Sequence, residues 1–154
     1  VVMLRYILCD NHKFLSVAQL HLTEEYGHNI SLKQDREHRP SVWDPILEST
    51  SCWFAWKMFT LDEEEKTVLV HLVLETSAQL FFTRAHQVME QYQETEYFKI
   101  HRDADEQHEQ MGIDLLKELT VEKYQRLQKI LSQGWAILNT ACNQIALLTQ
   151  QESF

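Results

Sequence analysis

Two short segments of the chain each hold two histidines and a carboxylate at offsets that bring them to one side of an α-helix. The C-terminal segment contains His101, Asp105 and His108. Because each residue of an α-helix turns about 100°, these three side chains fall within a wedge of about 60°. Two imidazoles and a carboxylate that point the same way suit a first-row metal such as iron, manganese or zinc. Taken alone, the pattern is equally typical of a solvated, charged helix face.

The upstream segment repeats this arrangement and favours the metal interpretation. Its three members are His21, Glu25 and His28. Glu25-x-x-His28 and Asp105-x-x-His108 are the pair of motifs that two-metal centres in ferritin-like helical bundles use. The sequence therefore predicts a site built from two helices that are distant along the chain.

A third carboxylate, Glu75, lies in a segment rich in Val and Leu. A buried carboxylate is costly among apolar side chains unless it is paired or bound to metal, so we prefer a ligand role to the alternative of a solvent-facing Glu. A ferritin-like site requires one more Glu upstream of Glu25, and residues 1–23 contain none. His101 supplies an additional ligand instead.

The predicted ligand set has three carboxylates and three imidazoles: Glu25, His28, Glu75, His101, Asp105 and His108. Carboxylates hold charge and can bridge two Fe(II) ions, while neutral imidazoles leave coordination positions open to O2. A zinc hydrolase usually has one metal with three protein ligands, so six ligands fit two metals better.

The elements that must position these residues are predicted to be helices. Glycine (3) and proline (2) are scarce, which favours long helices with few tight turns. Apolar spacing predicts helix from Met3 to about Ile30, which Asp10–Asn11 could divide, and the polar stretch Ser31–Val42 predicts a loop.

The remaining helices are predicted from their start signals. Asp44-Pro45 places an N-cap before a proline at the first helical position. The pattern Thr60-Leu61-Asp62-Glu63 indicates a capping box that opens a helix from about Asp62 to Tyr92. Thr95 and Thr120 are candidate caps for the last two helices. The result is an all-α helical bundle, expected as a single domain over residues 1–154.

Composition excludes several function classes. The formal net charge of −9, without a basic stripe, argues against a nucleic-acid partner. The three cysteines are far apart and form no C-x-x-C pair, which is typical of a reducing cytosol. Neither an apolar run of membrane-spanning length nor a signal-peptide pattern is visible. We therefore expect a cytoplasmic protein with no membrane partner.

The paired His-x3-[Asp/Glu]-x2-His segments, with a Glu in an apolar helix between them, resemble the heme-oxygenase-like diiron oxidases and oxygenases. The resemblance spans about Leu20 to Leu116. It implies the helical fold that this family shares with heme oxygenases and with TenA- and PqqC-like proteins. It also implies two Fe(II) ions per chain and O2 as co-substrate. Family members oxidise small carboxylic or amino acids by oxidative decarboxylation, C–C cleavage or N-oxygenation.

The resemblance also implies roles for individual residues. Glu25 and His28 would serve one iron and Asp105 and His108 the other, with Glu75 as the bridge. The iron that His101 serves is left open. The family fold usually has more helices than are predicted here, and the chain begins at Val1 rather than Met, so we expect that a first helix is missing.

Other candidates carry weaker signals. His21 is not required by the family pattern and is expected to support the site from outside or to face solvent. Arg84 is a candidate anchor for a substrate carboxylate, although a surface position is more typical. Expected partners are a small-molecule carboxylate or amino acid and, as an oligomer, a homodimer. The alternative function is a metal-free or single-metal TenA/PqqC-like binding protein or enzyme.

Overall fold

The computed structural model describes residues 1–36, 41–89, 91 and 96–151, with the backbone alone for residues 86, 89, 102–107, 109 and 151. Within these residues the chain forms helices and no strand, so the predicted all-α fold class is confirmed. The elements are α1 (Val2–Ile7), α2 (His12–Glu25), α3 (His28–Asp35), α4 (Pro45–Thr60), α5 (Glu63–Thr67), a π-helical segment (Val68–Glu75), α6 (Thr76–Met89), α7 (Glu96–Gln110), a 3₁₀ turn (Ile113–Leu116) and α8 (Val121–Gln151).

Helix α4 begins where the sequence predicts. The side chain of Asp44 accepts hydrogen bonds from the backbone N–H groups of Ile46, at 2.8 Å, and Leu47, at 3.0 Å. Pro45 fills the first helical position, where its missing N–H costs nothing. Local chemistry alone therefore fixes this helix start.

The capping box of α5 lies two residues later than predicted. Asp62 is the N-cap and accepts from the N–H of Glu65, whose side chain in turn accepts from the N–H of Asp62. The prediction of a box at Thr60–Glu63 was wrong in register. Residues 60 and 63 are the first pair that fits the pattern. The pair at 62 and 65 also fits it and lies directly before the long apolar run.

The predicted loop at Ser31–Val42 is wrong over its first residues, since α3 continues to Asp35. Polarity suggested a loop, but a polar segment that contains Leu32, Lys33 and Gln34 has good helix propensity. Gly27 separates α2 from α3 with φ of 99°, a left-handed conformation that glycine adopts without steric cost. Residues 37–40 lie outside the described part of the chain, as does Thr95.

The π-helical segment lies at the centre of the fold. Six of its eight residues are buried, and its apolar side packs on α8 beside Gly134. A Cβ atom at Gly134 would lie 2.8 Å from Cδ1 of Leu69, so only glycine allows this approach. Thr76 supports the wider helical turn, because its hydroxyl donates to the carbonyl of His71 at 3.1 Å. Such segments often lie at functional sites, and this one carries His71 and Glu75.

Among the helices of the described chain, none combines the length and the apolar character that crossing a membrane requires.

Candidate metal centre

Four side chains from three elements meet in the interior, and we call them the inner cluster: His21, Glu25, Glu75 and His108. Each offers one ligand atom, and these atoms lie within 4.8 Å of one another. Nε2 of His21 is 3.1 Å from Oε1 of Glu75, and Nδ1 of His108 is 3.2 Å from Oε1 of Glu25. His21 is completely buried and Glu75 is 8% exposed. These two ligands are therefore shielded from bulk water, while Glu25 is half-buried.

Three side chains form a second group beside it, the outer cluster: Glu25, His28 and His101. Nδ1 of His28 lies 3.2 Å from Oε2 of Glu25, and the rings of His28 and His101 have centroids 4.6 Å apart. Glu25 thus presents Oε1 to the inner cluster and Oε2 to the outer cluster. A carboxylate with one oxygen toward each of two sites has the geometry of a bridging ligand.

The shared carboxylate differs from the one expected. Both oxygens of Glu75 face the inner cluster, with Oε1 near His21 and Oε2 3.7 Å from Nδ1 of His108. Glu75 therefore does not lie between the clusters, and Glu25 does. The spacing could not reveal this, because Glu25 ends α2 and His28 begins α3 after the turn at Gly27.

The structure brings five of the six predicted ligands together: Glu25, His28, Glu75, His101 and His108. It places His101 in the outer cluster, a point that spacing left open. The side chain of Asp105 lies outside the described residues. His21, expected from the sequence to support the site from outside or to face solvent, belongs to the inner cluster. The signal for it was present in the sequence, since His21 occupies the same offset before Glu25 as His101 does before Asp105.

The ring of His101 is oriented from outside the cluster. Its Nδ1–H donates to the carbonyl of Tyr97 at 2.8 Å, and the ring of Phe82 stacks on it at a centroid distance of 4.6 Å. This leaves Nε2 as the nitrogen with a free lone pair. Burial lowers the pKa of His101, which keeps the ring neutral, as a metal ligand must be.

The ring of His108 is held by a carboxylate on its far side. Nε2 lies 3.0 Å from Oε2 of Glu24, while Nδ1 faces Glu25 and Glu75. A histidine between a supporting carboxylate and a metal is a recurrent arrangement in metalloproteins. Glu25 and then Glu75 raise the pKa of His108 to about 10, against the effect of burial. A cation that binds Nδ1 therefore has to replace a proton.

Both carboxylates are anionic. Burial acts to raise the pKa of Glu75, but contacts with His108 and His21 outweigh it and bring the value to about 2. Burial also acts to raise the pKa of Glu25, but the contact with His108 and the nearby rings of His28 and His21 together lower it. A buried anion, Glu75, and a half-buried one, Glu25, therefore lie on either side of His108, an arrangement that favours cation binding.

Unpartnered nitrogens give a direct test of whether these residues fit a metal. Both ring nitrogens of His21 and Nδ1 of His108 are buried and make no hydrogen bond of acceptable geometry within the described chain. Carboxylate oxygens lie 3.1 and 3.2 Å away, but the N–H directions miss them. Buried polar atoms rarely lack partners. Donor atoms that are close together without pointing at each other are arranged to suit a cation between them, and imidazole with carboxylate suits iron.

A cavity of about 570 Å³ adjoins the outer cluster. Its lining includes Glu25, His28 and His101. Apolar side chains such as Leu22 and Ile30 form the wall. This cavity can hold a small organic molecule next to the outer cluster.

Arg84 does not lie at this cavity. It is exposed on α6 and lines a groove with Trp135 of α8. It follows Glu75 by nine residues, which is half a turn out of phase on an α-helix, so the two side chains point to opposite sides. The expectation that Arg84 anchors a substrate carboxylate beside the metal ligands is therefore not supported by its position.

The chain matches a protein family described as iron-containing redox enzyme over residues 16–141. That range includes every residue of both clusters. The chain belongs to this family. The resemblance to heme-oxygenase-like proteins drawn from the sequence is thereby confirmed. Membership in the iron-containing redox enzymes supports assignment as an oxidoreductase and identifies iron as the metal to consider for the two clusters.

Among individual proteins, the chain is similar to the uncharacterized protein RP592 of Rickettsia prowazekii (strain Madrid E). The two are 36% identical over 149 residues, which cover 97% of this chain and 72% of that protein. No solved structure matches the chain.

Proposed function

We propose that this iron-containing redox enzyme is a non-heme diiron oxidase or oxygenase. One observation carries the proposal: two ligand clusters adjoin and share Glu25, whose two oxygens face opposite clusters. A single-metal enzyme needs only one such cluster. Two Fe(II) ions held there would supply the electrons for reducing O2 and the oxidising power to attack a substrate.

The two clusters suit different roles, the inner one in retaining a metal and the outer one in contacting a substrate. The inner cluster is enclosed by packed helices, which suits stable binding of a cation. The outer cluster borders the cavity, so a substrate in the cavity would lie beside Glu25, His28 and His101. The apolar side chains of the lining favour a substrate with an aliphatic or aromatic portion.

We further propose that the substrate is a small carboxylic or amino acid. Since Arg84 does not line this cavity, we expect residues of the cavity to bind the carboxylate of the substrate. Tyr26 and Asn29 line the cavity and carry hydroxyl and amide donors suited to a carboxylate. The volume of about 570 Å³ accommodates a molecule of this class.

The test is oxygen uptake by protein loaded anaerobically with Fe(II), in the presence of a panel of fatty acids and amino acids. We expect at least one compound to accelerate O2 consumption and to be converted to an oxidised product. Uptake that no compound alters, together with a single bound metal or none, would contradict the proposal. It would instead indicate the metal-free or single-metal TenA/PqqC-like alternative.

A further inference from the structure

A buried arginine lies behind the inner cluster. Arg5 of α1 is completely buried, and within the described residues it forms no ion pair with a carboxylate. Burial lowers its pKa to about 10, so it remains a cation at neutral pH. A buried charge without a carboxylate partner is costly, so the hydrogen bonds that Arg5 makes must stabilise it. Arg5 also precedes the residues that match the family, which begin at residue 16.

The guanidinium of Arg5 fixes the proton position on His71. Nη1 donates to Nε2 of His71 at 2.5 Å, and Nη2 donates to the hydroxyl of Thr67 at 3.1 Å. Because guanidinium groups only donate, Nε2 of His71 must accept. The proton of the neutral ring then lies on Nδ1. Burial, followed by the charge of Arg5, lowers the pKa of His71 to about 3, which agrees with a neutral ring.

The ring of His71 contacts the main chain of α7. Its Nδ1–H donates to the backbone carbonyl of His108 at 2.7 Å. That carbonyl lies in the last turn of α7, where it also accepts from the N–H of Met111 at 3.2 Å. The residue whose main chain is tethered in this way is the one whose ring reaches Glu25 and Glu75.

We propose that Arg5 is a positioning residue of the inner cluster, which acts through the tautomer of His71 on the main chain of His108. The inference rests on the proposed function in so far as the inner cluster binds metal. Without Arg5, His71 can carry its proton on Nε2 and release the carbonyl of His108. The His108 ring then loses its fixed approach to the inner cluster, while the outer cluster keeps its own supports at Tyr97 and Phe82.

The first measurement uses metal-free, wild-type protein with ¹⁵N-labelled histidine. NMR should show His71 as a neutral imidazole with its proton on Nδ1. In Arg5→Met, which keeps an unbranched apolar stem but removes the guanidinium donors, the tautomer should shift toward Nε2–H. An Nε2–H ring for His71 in the wild-type protein would overturn the proposal without any variant, and so would an unchanged tautomer in Arg5→Met.

The second measurement is a titration with Co(II), followed by its optical spectrum. Wild-type protein should bind two ions, and Arg5→Met should bind the inner one about 10–100-fold more weakly, the usual loss when a supporting partner is removed. The outer ion should bind as in wild type. Affinities within twofold of wild type at both sites would refute the role of Arg5.

Two further variants separate positioning from a general loss of stability. Lys66→Met removes another buried cation, whose ammonium group pairs with Glu63 at 2.6 Å. This variant should have a lower melting temperature and still bind two Co(II) ions.

If Arg5→Met fails to fold, Thr67→Val is the alternative, because it removes one of the hydrogen-bond partners of Arg5. It should also weaken binding of the inner ion. Unchanged binding of that ion would count against the proposal. Wild-type protein that binds fewer than two ions would contradict the proposed function, while the tautomer experiment would still decide the role of Arg5.

Discussion

The inner and outer clusters share one carboxylate but differ in their surroundings. The inner cluster is enclosed by α2, the π-helical segment and α7, and His21 within it is completely buried. The outer cluster joins α2, α3 and α7 and opens onto the cavity. Ligands locked among packed helices favour retention of a metal, whereas ligands at a cavity wall favour contact with a substrate. We therefore expect that substitution of a ligand in one cluster weakens only the ion bound there. Glu25 is the exception, because its substitution should affect both ions.

The largest effect is expected from removing the shared carboxylate. Glu25→Ala should abolish binding of both ions, because each cluster loses an anionic ligand and His108 loses its first carboxylate partner. Metal analysis after anaerobic loading with Fe(II) measures this directly. Glu122→Ala, at an exposed position in the first turn of α8, is the matched control and should bind as wild type does. One ion retained at wild-type affinity in Glu25→Ala would show that Glu25 is not shared.

Single histidine variants should then separate the clusters. His21→Ala and His108→Ala should each weaken the inner ion by at least about 100-fold, since loss of a supporting partner alone costs about 10–100-fold. His101→Ala should weaken the outer ion and leave the inner one intact. The measurement is a metal titration that resolves two binding steps. If His21→Ala leaves both steps unchanged, His21 is not a ligand, and its burial has another cause.

A smaller effect is expected at Glu24, which contacts His108 from the side away from the cluster. Glu24→Gln keeps the size of the side chain but removes the charge, and it should weaken the inner ion by about 10-fold while the outer ion is unaffected. Isothermal titration with Co(II) or Mn(II) can detect this change. Equal weakening at both sites would mean that Glu24 acts through general charge rather than through His108.

The smallest effect on the metal is expected from the packing behind the inner cluster. Gly134→Ala places a Cβ atom 2.8 Å from Cδ1 of Leu69 and 2.9 Å from Cγ2 of Val73. Overpacking of this kind costs about 1–3 kcal/mol, partly offset by the roughly 0.5–1 kcal/mol that alanine gains over glycine in a helix. Chemical denaturation should show a modest loss of stability with both ions still bound. A gain in stability would show that α8 can move away from the π-helical segment at no cost.

Local signals in the sequence predicted the helical framework and the two histidine-rich segments. The start of α4 followed from Asp44 and Pro45 alone, because cap chemistry acts over a few residues. The π-helical segment was not predictable, since residues 68–74 form a nearly continuous apolar run in which every helical period fits equally well.

The arrangement of the candidate site was less predictable than its composition. Spacing places Glu25 and His28 on one helix face, whereas the structure divides them between two helices at Gly27, and one oxygen of Glu25 faces each cluster. The role of Arg5 depends on contacts with residues more than sixty positions away, which no local pattern encodes. The prediction that Arg84 anchors the substrate rested on residue type alone. The sequence did not indicate which face of its helix Arg84 occupies.

The central claim is that two metal ions bind side by side and share Glu25, and electron paramagnetic resonance of protein loaded with Mn(II) tests it most directly. At two ions per chain, we predict the spectrum of a magnetically coupled pair, with loss of coupling in Glu25→Ala. Two ions that show only the hyperfine pattern of isolated Mn(II), or saturation at one ion per chain, would contradict the account.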